Sequence, residues 1–291
     1  MPEAYRPFRE TSTAREVETR SRQPNLLITG RCVTLDKPGR CFTLIGVILA
    51  AGRGQRLGRD IDLERIGPKC LLPIDGRTLL ERIVSDLVSS GVDTITIVVG
   101  YRAEIVREAC AALGRKYDAR FNLVRNDAYL STNTACSLQI GLSGIHNDVV
   151  IFNGDVLYDR AILDDLLGMN RTAIAVDNTK PLTGESFKVR IADGRIEEMG
   201  KTVPVERATG EFIGISKIAR RDLREAKRLL KTLAFDDPNN YYDFIYQSLS
   251  ESGNLAYSFT NGLKWTEIDD IHDLRYAESI AGVACGARGR F

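Results

Sequence analysis

The sequence predicts an α/β protein: a doubly wound, mostly parallel mixed sheet with a small hairpin-containing subregion. Three observations carry this. Apolar strand-like runs alternate with amphipathic helical stretches from Ile45 to Asp177. The first run, 46–50, breaks into a loop bearing Gly52, Gly54 and Gly58 with Arg53 and Arg56 among them. After residue 180 the alternation gives way to "SFKVRIADGRIEEMGK" (186–201), whose Asp193–Gly194 pair suits the positive φ of a tight hairpin turn.

Taken in order, residues 1–43 are polar with scattered proline and read as a flexible N-terminal extension, with a short ordered piece near 26–35. The folded domain is expected over 44–285, followed by a tail, 286–291. Strands are predicted at 46–50, 94–100, 121–126, 148–155 and 172–177. Between them "TLLERIVSDLVSSG" (78–91) places Leu79, Leu80, Ile83 and Leu87 on one helical face. Thr78 is its N-cap, Glu81 completes a capping box, and Gly91 ends it. "AEIVREACAALG" (103–114) repeats the pattern with Ile105, Val106, Ala109 and Leu113. Beyond the hairpin come a strand at 211–218, an amphipathic helix at 220–233 with a solvated basic face, and helices around 241–252 and 270–282.

Composition narrows the classes of function. The chain has 291 residues, 43% apolar and 27% charged, enough for a large core. A net charge of +1 gives no global field for nucleic acid or a membrane surface, so neither is an expected partner. No apolar run approaches the about 20 residues of a membrane span. The N-terminus lacks the apolar core of a signal peptide. Its Arg and Ser/Thr content points towards a transit peptide, but Glu3, Glu10, Glu16 and Glu18 argue against one, and a cytoplasmic location is expected. Six cysteines fall in no CxxC spacing and there are two histidines, so neither a zinc site nor a disulfide framework is expected. A Ser-His or Cys-His nucleophile would have to draw on His146 or His272, neither in a recognisable setting.

A glycine-rich loop after a strand is the kind that usually holds phosphate. This one is not a P-loop, because the nearest lysine is Lys69, behind Pro68. As a dinucleotide fingerprint it is partial, because Leu57 stands at the third glycine position. A passive cofactor is held well enough by backbone N–H groups. Arginines in the loop suit a polyphosphate whose charge is redistributed during reaction.

"LAAGRGQRLG…PKCLLPIDGRTLLERIVSDLVSSGVDTITIVVGY" resembles the signature AAGxGxRxx…PKxL of nucleotidyltransferases that join a nucleoside triphosphate to a small phosphate ester. The resemblance runs from about 46 to 281. "NDAYLSTNTACSL", "IFNGDVLYD", "VRIADGRIEEMGK", "GEFIGISKI" and "WTEIDDIHDL" make it most similar to cytidylyltransferases acting on phosphocholine or 2-aminoethylphosphonate. It implies a Rossmann-like, glycosyltransferase-A-like nucleotidyltransferase fold with the hairpin in the acceptor region. It also implies CTP as donor, Mg²⁺ as cofactor, a small phosphate or phosphonate as acceptor, and a homodimer as an assembly to look for. Uridylyl, guanylyl or thymidylyl transfer to a sugar 1-phosphate is the alternative. A non-catalytic regulatory relative is disfavoured, because Arg56, Lys69, Asp155 and Asp269 are all present. A nicotinamide oxidoreductase is disfavoured because Asp75 follows a PKxL element rather than a second strand.

Displacement at an α-phosphate needs in-line positioning and charge neutralisation rather than an enzyme nucleophile. Arg56 and Lys69 are the catalytic candidates, helped by backbone N–H groups of Gly52–Gly54. Mg²⁺ prefers few carboxylates plus phosphate oxygens. Asp155, expected at the C-terminal end of its strand, and Asp269 match the positions that share the ion in the resembled family. Adjacent Asp270 leaves a register ambiguity, and strand alternation puts Glu267 on the Asp269 face as a supporting acid. The resemblance places Leu49, Ala50, Ala51, Gly52, Gly54, Tyr101, Thr132, Asn133 and Ser137 at the nucleotide with Arg56 and Lys69. For the acceptor, Lys188 and Lys201 are available cations. Tyr241, Tyr242 and Asp243 combine aromatic rings with an acid suited to an ammonium group, and Asp177 is a further acid. Ala135 stands where these cytidylyltransferases often carry a bulkier residue.

Overall fold

The structure, a computed structural model, describes residues 43–284. Residues 1–42 and 285–291 lie outside the described residues, and with them the expected ordered piece near 26–35, nearly all of the expected 1–43 extension and the whole 286–291 tail.

Strand β1 (Leu44–Ala50) leads through the glycine loop to a short helix, α1 (Leu63–Ile66), and a small hairpin, β2 (Pro73–Ile74) and β3 (Arg77–Thr78). Then follow α2 (Leu79–Ser89), β4 (Thr94–Val99), α3 (Ala103–Tyr117), β5 (Arg120–Arg125) and α4 (Thr134–Gly141). Next come β6 (Asp148–Asn153), β7 (Val156–Tyr158), α5 (Arg160–Leu167), β8 (Ala173–Asp177), and the hairpin β9 (Lys188–Ala192) and β10 (Arg195–Gly200). The domain closes with β11 (Gly210–Ile218), α6 (Arg220–Asp236), α7 (Phe244–Glu251), β12 (Ala256–Phe259), β13 (Trp265–Glu267) and α8 (Ile271–Ala284).

The main sheet runs β10-β9-β11-β6-β1-β4-β5, with β8 and β12 branching from β11. Strands β6, β1, β4 and β5 are mutually parallel, and β11 is antiparallel to β6. This is the mixed, mostly parallel doubly wound sheet expected. Strand β1 is apolar almost throughout because helices cover both faces. Ile48 packs under α2 and α3 with Ile83, Leu87 and Val106. Val47 packs on the opposite face with Leu138, Leu223 and Tyr246. The chain leaves β1 towards β4 on one side while β6 lies on the other, so the glycine loop sits at the switch point where open α/β sheets bind ligands.

Several local expectations are adjusted. The Thr78 hydroxyl accepts from the Glu81 N–H at 3.1 Å, but the Glu81 carboxylate turns outward to Lys116 and Tyr117 and ties α2 to α3. The hairpin turn is as expected, with Asp193 and Gly194 both at positive φ. Strand β4 stops at Val99, because Tyr101 N–H turns back to the Ala51 carbonyl. Strand β6 stops at Asn153, which leaves Asp155 in a turn rather than a strand. Strand β13 ends at Glu267, so strand alternation does not set the direction of Asp269. The predicted helix at 241–252 begins only at Phe244. Among the described residues no helix is long and apolar enough to cross a membrane.

A third apolar cluster positions the site. Leu57, Leu63, Leu72, Ile74, Leu157, Ile268 and Ala277 draw the glycine loop, the small hairpin, the β7–β13 ribbon and α8 into one unit.

Candidate active site

The glycine loop folds over Lys69. Gly54 has φ of +65°, and a Cβ there would lie 2.6 Å from Lys69 Cγ, so a side chain is excluded by both conformation and space. Pro68 starts a single 3₁₀ turn over Lys69–Leu71, which aims the Lys69 side chain back beneath the loop.

The Lys69 ammonium donates to Asp155 Oδ2 at 2.6 Å, Asp269 Oδ1 at 2.8 Å and the Ile268 carbonyl at 2.8 Å. The Arg56 guanidinium pairs with Asp269 Oδ2 at 2.7 Å. Burial alone would lower the Lys69 pKa, but the charges of Asp155 and Asp269 outweigh it and hold the ammonium above its ordinary value.

The two aspartates are brought together by backbone. Gly154 N–H donates to the Leu49 carbonyl at 2.9 Å, and a Cβ on Gly154 would meet that oxygen at 2.6 Å. The turn therefore lies flat against the end of β1 and delivers Asp155. Strands β7 and β13 pair antiparallel, Trp265 with Tyr158 and Glu267 with Val156, and Ile268 N–H donates to the Asp155 carbonyl at 3.0 Å. Asp270 has separate work. Its carboxylate accepts from the N–H groups of His272 and Asp273, while Asp273 accepts from those of Asp269 and Asp270. This reciprocal cap starts α8 and turns the Asp269 carboxylate, not that of Asp270, towards Lys69.

Two cavities adjoin at Gly52, Tyr129 and Asp155. One of about 410 Å³ is bounded by the glycine loop, Arg56, Lys69 and Asp269. The other, about 160 Å³, is bounded by Leu49, Ala51, Thr132, Asn133, Ser137 and Glu267. Ala50 and Gly154 border a smaller hollow beneath Lys69. Asn133 caps α4 through its own side chain. Tyr101 lies under the Arg53 guanidinium, 5.6 Å from the ring centroid, at the edge of the loop. Ala135 is fully buried in α4.

Two further residues matter here, Asn126 and the supporting acid Glu267. Buried Asn126 donates to Thr132 Oγ1 at 3.0 Å and Ser137 Oγ at 3.1 Å, fixing both hydroxyls. Glu267 lines the smaller cavity beside Asp155. Withdrawal from bulk water first, and then the like charges of Asp155 and Asp269, raise its carboxyl above the usual range against the opposing charge of Lys69. The alternation of acids in "WTEIDD" was the signal for Glu267; Asn126 follows β5 and opens the stretch "NDAYLSTNTACSL", which carried the resemblance without singling this residue out.

Among the described residues no three His, Cys, Asp or Glu side chains converge as a closed metal cage. Mg²⁺ does not need one: one or two carboxylates plus substrate phosphates and water are its usual set. Asp155 and Asp269 already converge on one cation, the Lys69 ammonium. Their all-oxygen chemistry fits Mg²⁺.

The acceptor candidates divide. Asp177 is 1% exposed and accepts from Thr260 Oγ1 and Thr179 Oγ1, so the structure uses it to anchor a turn. Burial raises its pKa, and these hydrogen bonds bring it below the ordinary value. Lys188 is 2% exposed, with its ammonium turned to the carbonyls of Thr183, Gly184 and Ser186. Tyr242 is 1% exposed, packed edge-on against Phe212 and Tyr246, and its hydroxyl donates to Asn153. These three side chains are enclosed, and the expected open aromatic pair is not formed, because Tyr242 completes the core under α7. Tyr241 is exposed, with Lys201 5.4 Å from its ring centroid and Lys201 paired to Glu185. Asp243 is half-buried, its Oδ1 enclosed with no hydrogen-bond partner among the described residues. Burial pushes its carboxyl up to about 7, with Lys201 opposing.

The sequence pattern of the MobA-like NTP transferase domain matches residues 46–226. CMP-5'-(3-aminopropyl)phosphonate synthase of Streptomyces rubellomurinus is 31% identical over 246 residues, covering 80% of this chain and 38% of the relative. The bifunctional IPC transferase and DIPP synthase of Rubrobacter xylanophilus is 30% identical, over 80% of this chain and 51% of the relative. The chain thus spans about two-fifths to one-half of these two proteins. CTP:phosphoglutamine cytidylyltransferase of Campylobacter jejuni is 26% identical, over 78% of this chain and 96% of the relative. Among solved structures, CTP:phosphocholine cytidylyltransferase from Streptococcus pneumoniae superposes with a TM-score of 0.67 at 24% identity, covering 82% of this chain and 99% of the other. The fold is shared.

Proposed function

Because the chain belongs to the MobA-like NTP transferase family, we propose that it transfers a nucleoside monophosphate, CMP from CTP, to a small phosphate or phosphonate acceptor that carries an amine. An acceptor oxygen forms a new bond to the α-phosphorus, the bond between the α-phosphorus and the bridging oxygen breaks, and pyrophosphate leaves with that electron pair.

One observation carries this reading: Lys69, Arg56, Asp155 and Asp269 meet within hydrogen-bond distance under the glycine loop. In-line phosphoryl displacement requires concentrated, fixed positive charge beside phosphate oxygens. Backbone N–H groups of Gly52–Gly54 hold the phosphates, Arg56 offers a forked donor to the departing pyrophosphate, and Lys69 stabilises the charge that grows on the reacting phosphate. Asp155 and Asp269 would hold Mg²⁺, which supplies further neutralisation of phosphate oxygens. The nucleoside occupies the cavity of Leu49, Thr132, Asn133 and Ser137.

The donor and acceptor classes rest on the relatives and on Asp243. Similar proteins are named for transfer from CTP or formation of a CMP product, with aminopropylphosphonate, phosphocholine or phosphoglutamine as the partner. The half-buried Asp243 carboxyl, beside exposed Tyr241, is the acid that remains for an incoming ammonium group. The test is pyrophosphate release from each of four NTPs with phosphocholine, 2-aminoethylphosphonate, inositol 1-phosphate and glucose 1-phosphate. CTP with an amine-bearing acceptor is expected to be fastest. Turnover confined to the amine-free acceptors would overturn the acceptor assignment.

A further inference from the structure

We propose that Lys180 is a positioning residue: through Trp265 it holds the β7–β13 ribbon in register and so sets the placement of Asp155 and Asp269 around the reacting phosphates. The inference rests on the transfer reaction proposed above, but its geometry is independent of the acceptor.

Lys180 lies on the connection between β8 and β9. Its ammonium donates to the Trp265 carbonyl at 2.6 Å and stands 3.8 Å from the centroid of the Trp265 ring. Tyr276 of α8 faces the same ammonium at 5.3 Å. Among the described residues no carboxylate lies at ion-pair distance from it; a carbonyl and two aromatic rings stand around this half-buried charge, and both rings attract it by cation–π interaction. Trp265 is 5% exposed and opens β13. Two residues on is Glu267, and beyond it are the Ile268 N–H that binds the Asp155 carbonyl and the Ile268 carbonyl that accepts from Lys69. Lys180 therefore grips the far end of a three-residue strand whose near end spaces the carboxylates. The same connection supplies the carbonyls of Thr183, Gly184 and Ser186 that hold Lys188. It thus links buried Lys188 to the strand that leads into Asp269.

Trp265 is the sole tryptophan of the chain, so its emission reports this contact directly. The experiment compares full-length wild type with Lys180→Met, Lys180→Gln and Lys180→Arg. In Lys180→Met, Trp265 emission is expected to shift and become more accessible to acrylamide without any substrate present. The kcat is expected to fall about tenfold, the scale of a small misplacement of reacting groups, with KM for nucleotide and acceptor changed less than kcat. Mg²⁺ affinity, read from the Mg²⁺-dependent rise in Tm, is expected to weaken in parallel. Arg should recover part of both emission and kcat; Gln, which keeps a donor without charge, should recover less. If Met unfolds the chain, the Arg and Gln variants carry the same comparison. A shifted emission with unchanged kcat and unchanged Mg²⁺ affinity would overturn the proposal. A rise in acceptor KM alone would also overturn it, assigning Lys180 to substrate contact instead. Should wild type turn over none of the tested pairs, the reaction assignment fails, while emission and Mg²⁺ affinity still judge the Lys180 contact.

Discussion

Ile268 N–H donates to the Asp155 carbonyl at 3.0 Å, and this bond extends the β7–β13 ladder one step beyond the strands themselves. The consequence is that Asp155 and Asp269, distant in sequence, hold a spacing set by backbone rather than by side-chain rotamers. Asp155→Asn and Asp269→Asn should keep that backbone and the fold. They should lower turnover by at least about a hundredfold, the scale seen when one stabilising group is removed from a charge-developing site. Circular dichroism beside pyrophosphate release checks both halves; turnover within a few-fold of wild type with either variant would sink the assignment of the carboxylates.

Lys69→Met probes the same pair from the other side. In the resting chain the ammonium separates two carboxylates that would otherwise face each other. The variant should lose Tm in metal-free buffer at neutral pH and regain part of it with Mg²⁺, because the ion can occupy the vacated point of positive charge. The raised Lys69 pKa places this ammonium's contribution fully below the ordinary lysine value of about 10.4 and removes it only as pH rises through the still higher folded value. The ammonium's own titration therefore adds no pH dependence to this loss between pH 6 and 9. In turnover, kcat should fall more than KM rises, since the interaction grows in the transition state.

Much of this was legible before the fold was known, for stated reasons. The alternation around Gly46, Ile83, Ile97 and Val106 reports burial on two faces, and period alone reveals it. Thr78 and Asp193–Gly194 are local chemistry, readable without tertiary context. Asp155 and Asp269 came from family resemblance, and composition could not have paired them, because their meeting depends on Gly154 lying flat on Leu49 and on a three-residue ribbon too short for periodicity. Tyr242 illustrates the opposite limit. A Tyr-Tyr-Asp run reads equally as an open cation site or as packing, and only the positions of Phe212 and Tyr246 decide which ring is enclosed.

Gly52 and Gly54 share one motif but should respond differently. A Cβ on Gly52 meets nothing within 4 Å, whereas one on Gly54 meets Lys69 Cγ at 2.6 Å from a backbone at positive φ. Lys69 cannot yield freely, because three oxygens hold its end. Gly54→Ala should cost about 1–3 kcal/mol of stability, the scale of a residue forced into a strained conformation. Gly52→Ala should leave urea unfolding near wild type while raising KM for the nucleotide, by crowding the phosphates. Equal destabilisation by both would show that the loop is not packed on Lys69 as described.

Asp243 offers a prediction in pH. Its carboxyl is pushed up to about 7 in the folded chain by burial, with Lys201 opposing, whereas a carboxyl in an unfolded chain titrates near about 3.9. Between these values the native state holds a proton that the unfolded state has released. This group's contribution is therefore fully present below the unfolded value and lost as pH rises through the folded one. Asp243→Asn, which cannot ionise, should remove that loss: its Tm relative to wild type should climb between pH 5 and pH 8. If the Asp243 carboxylate also receives the acceptor's ammonium, the same variant should raise KM for 2-aminoethylphosphonate at pH 8 but leave KM for CTP unchanged. Wild type with that acceptor bound should show a shallower decline of Tm over the same range, because the ligand's positive charge then partners the ionised carboxylate. A variant with wild-type pH dependence would place the titrating group elsewhere; unchanged acceptor KM with the expected pH change would leave Asp243 a buried acid with no part in recognising the amine.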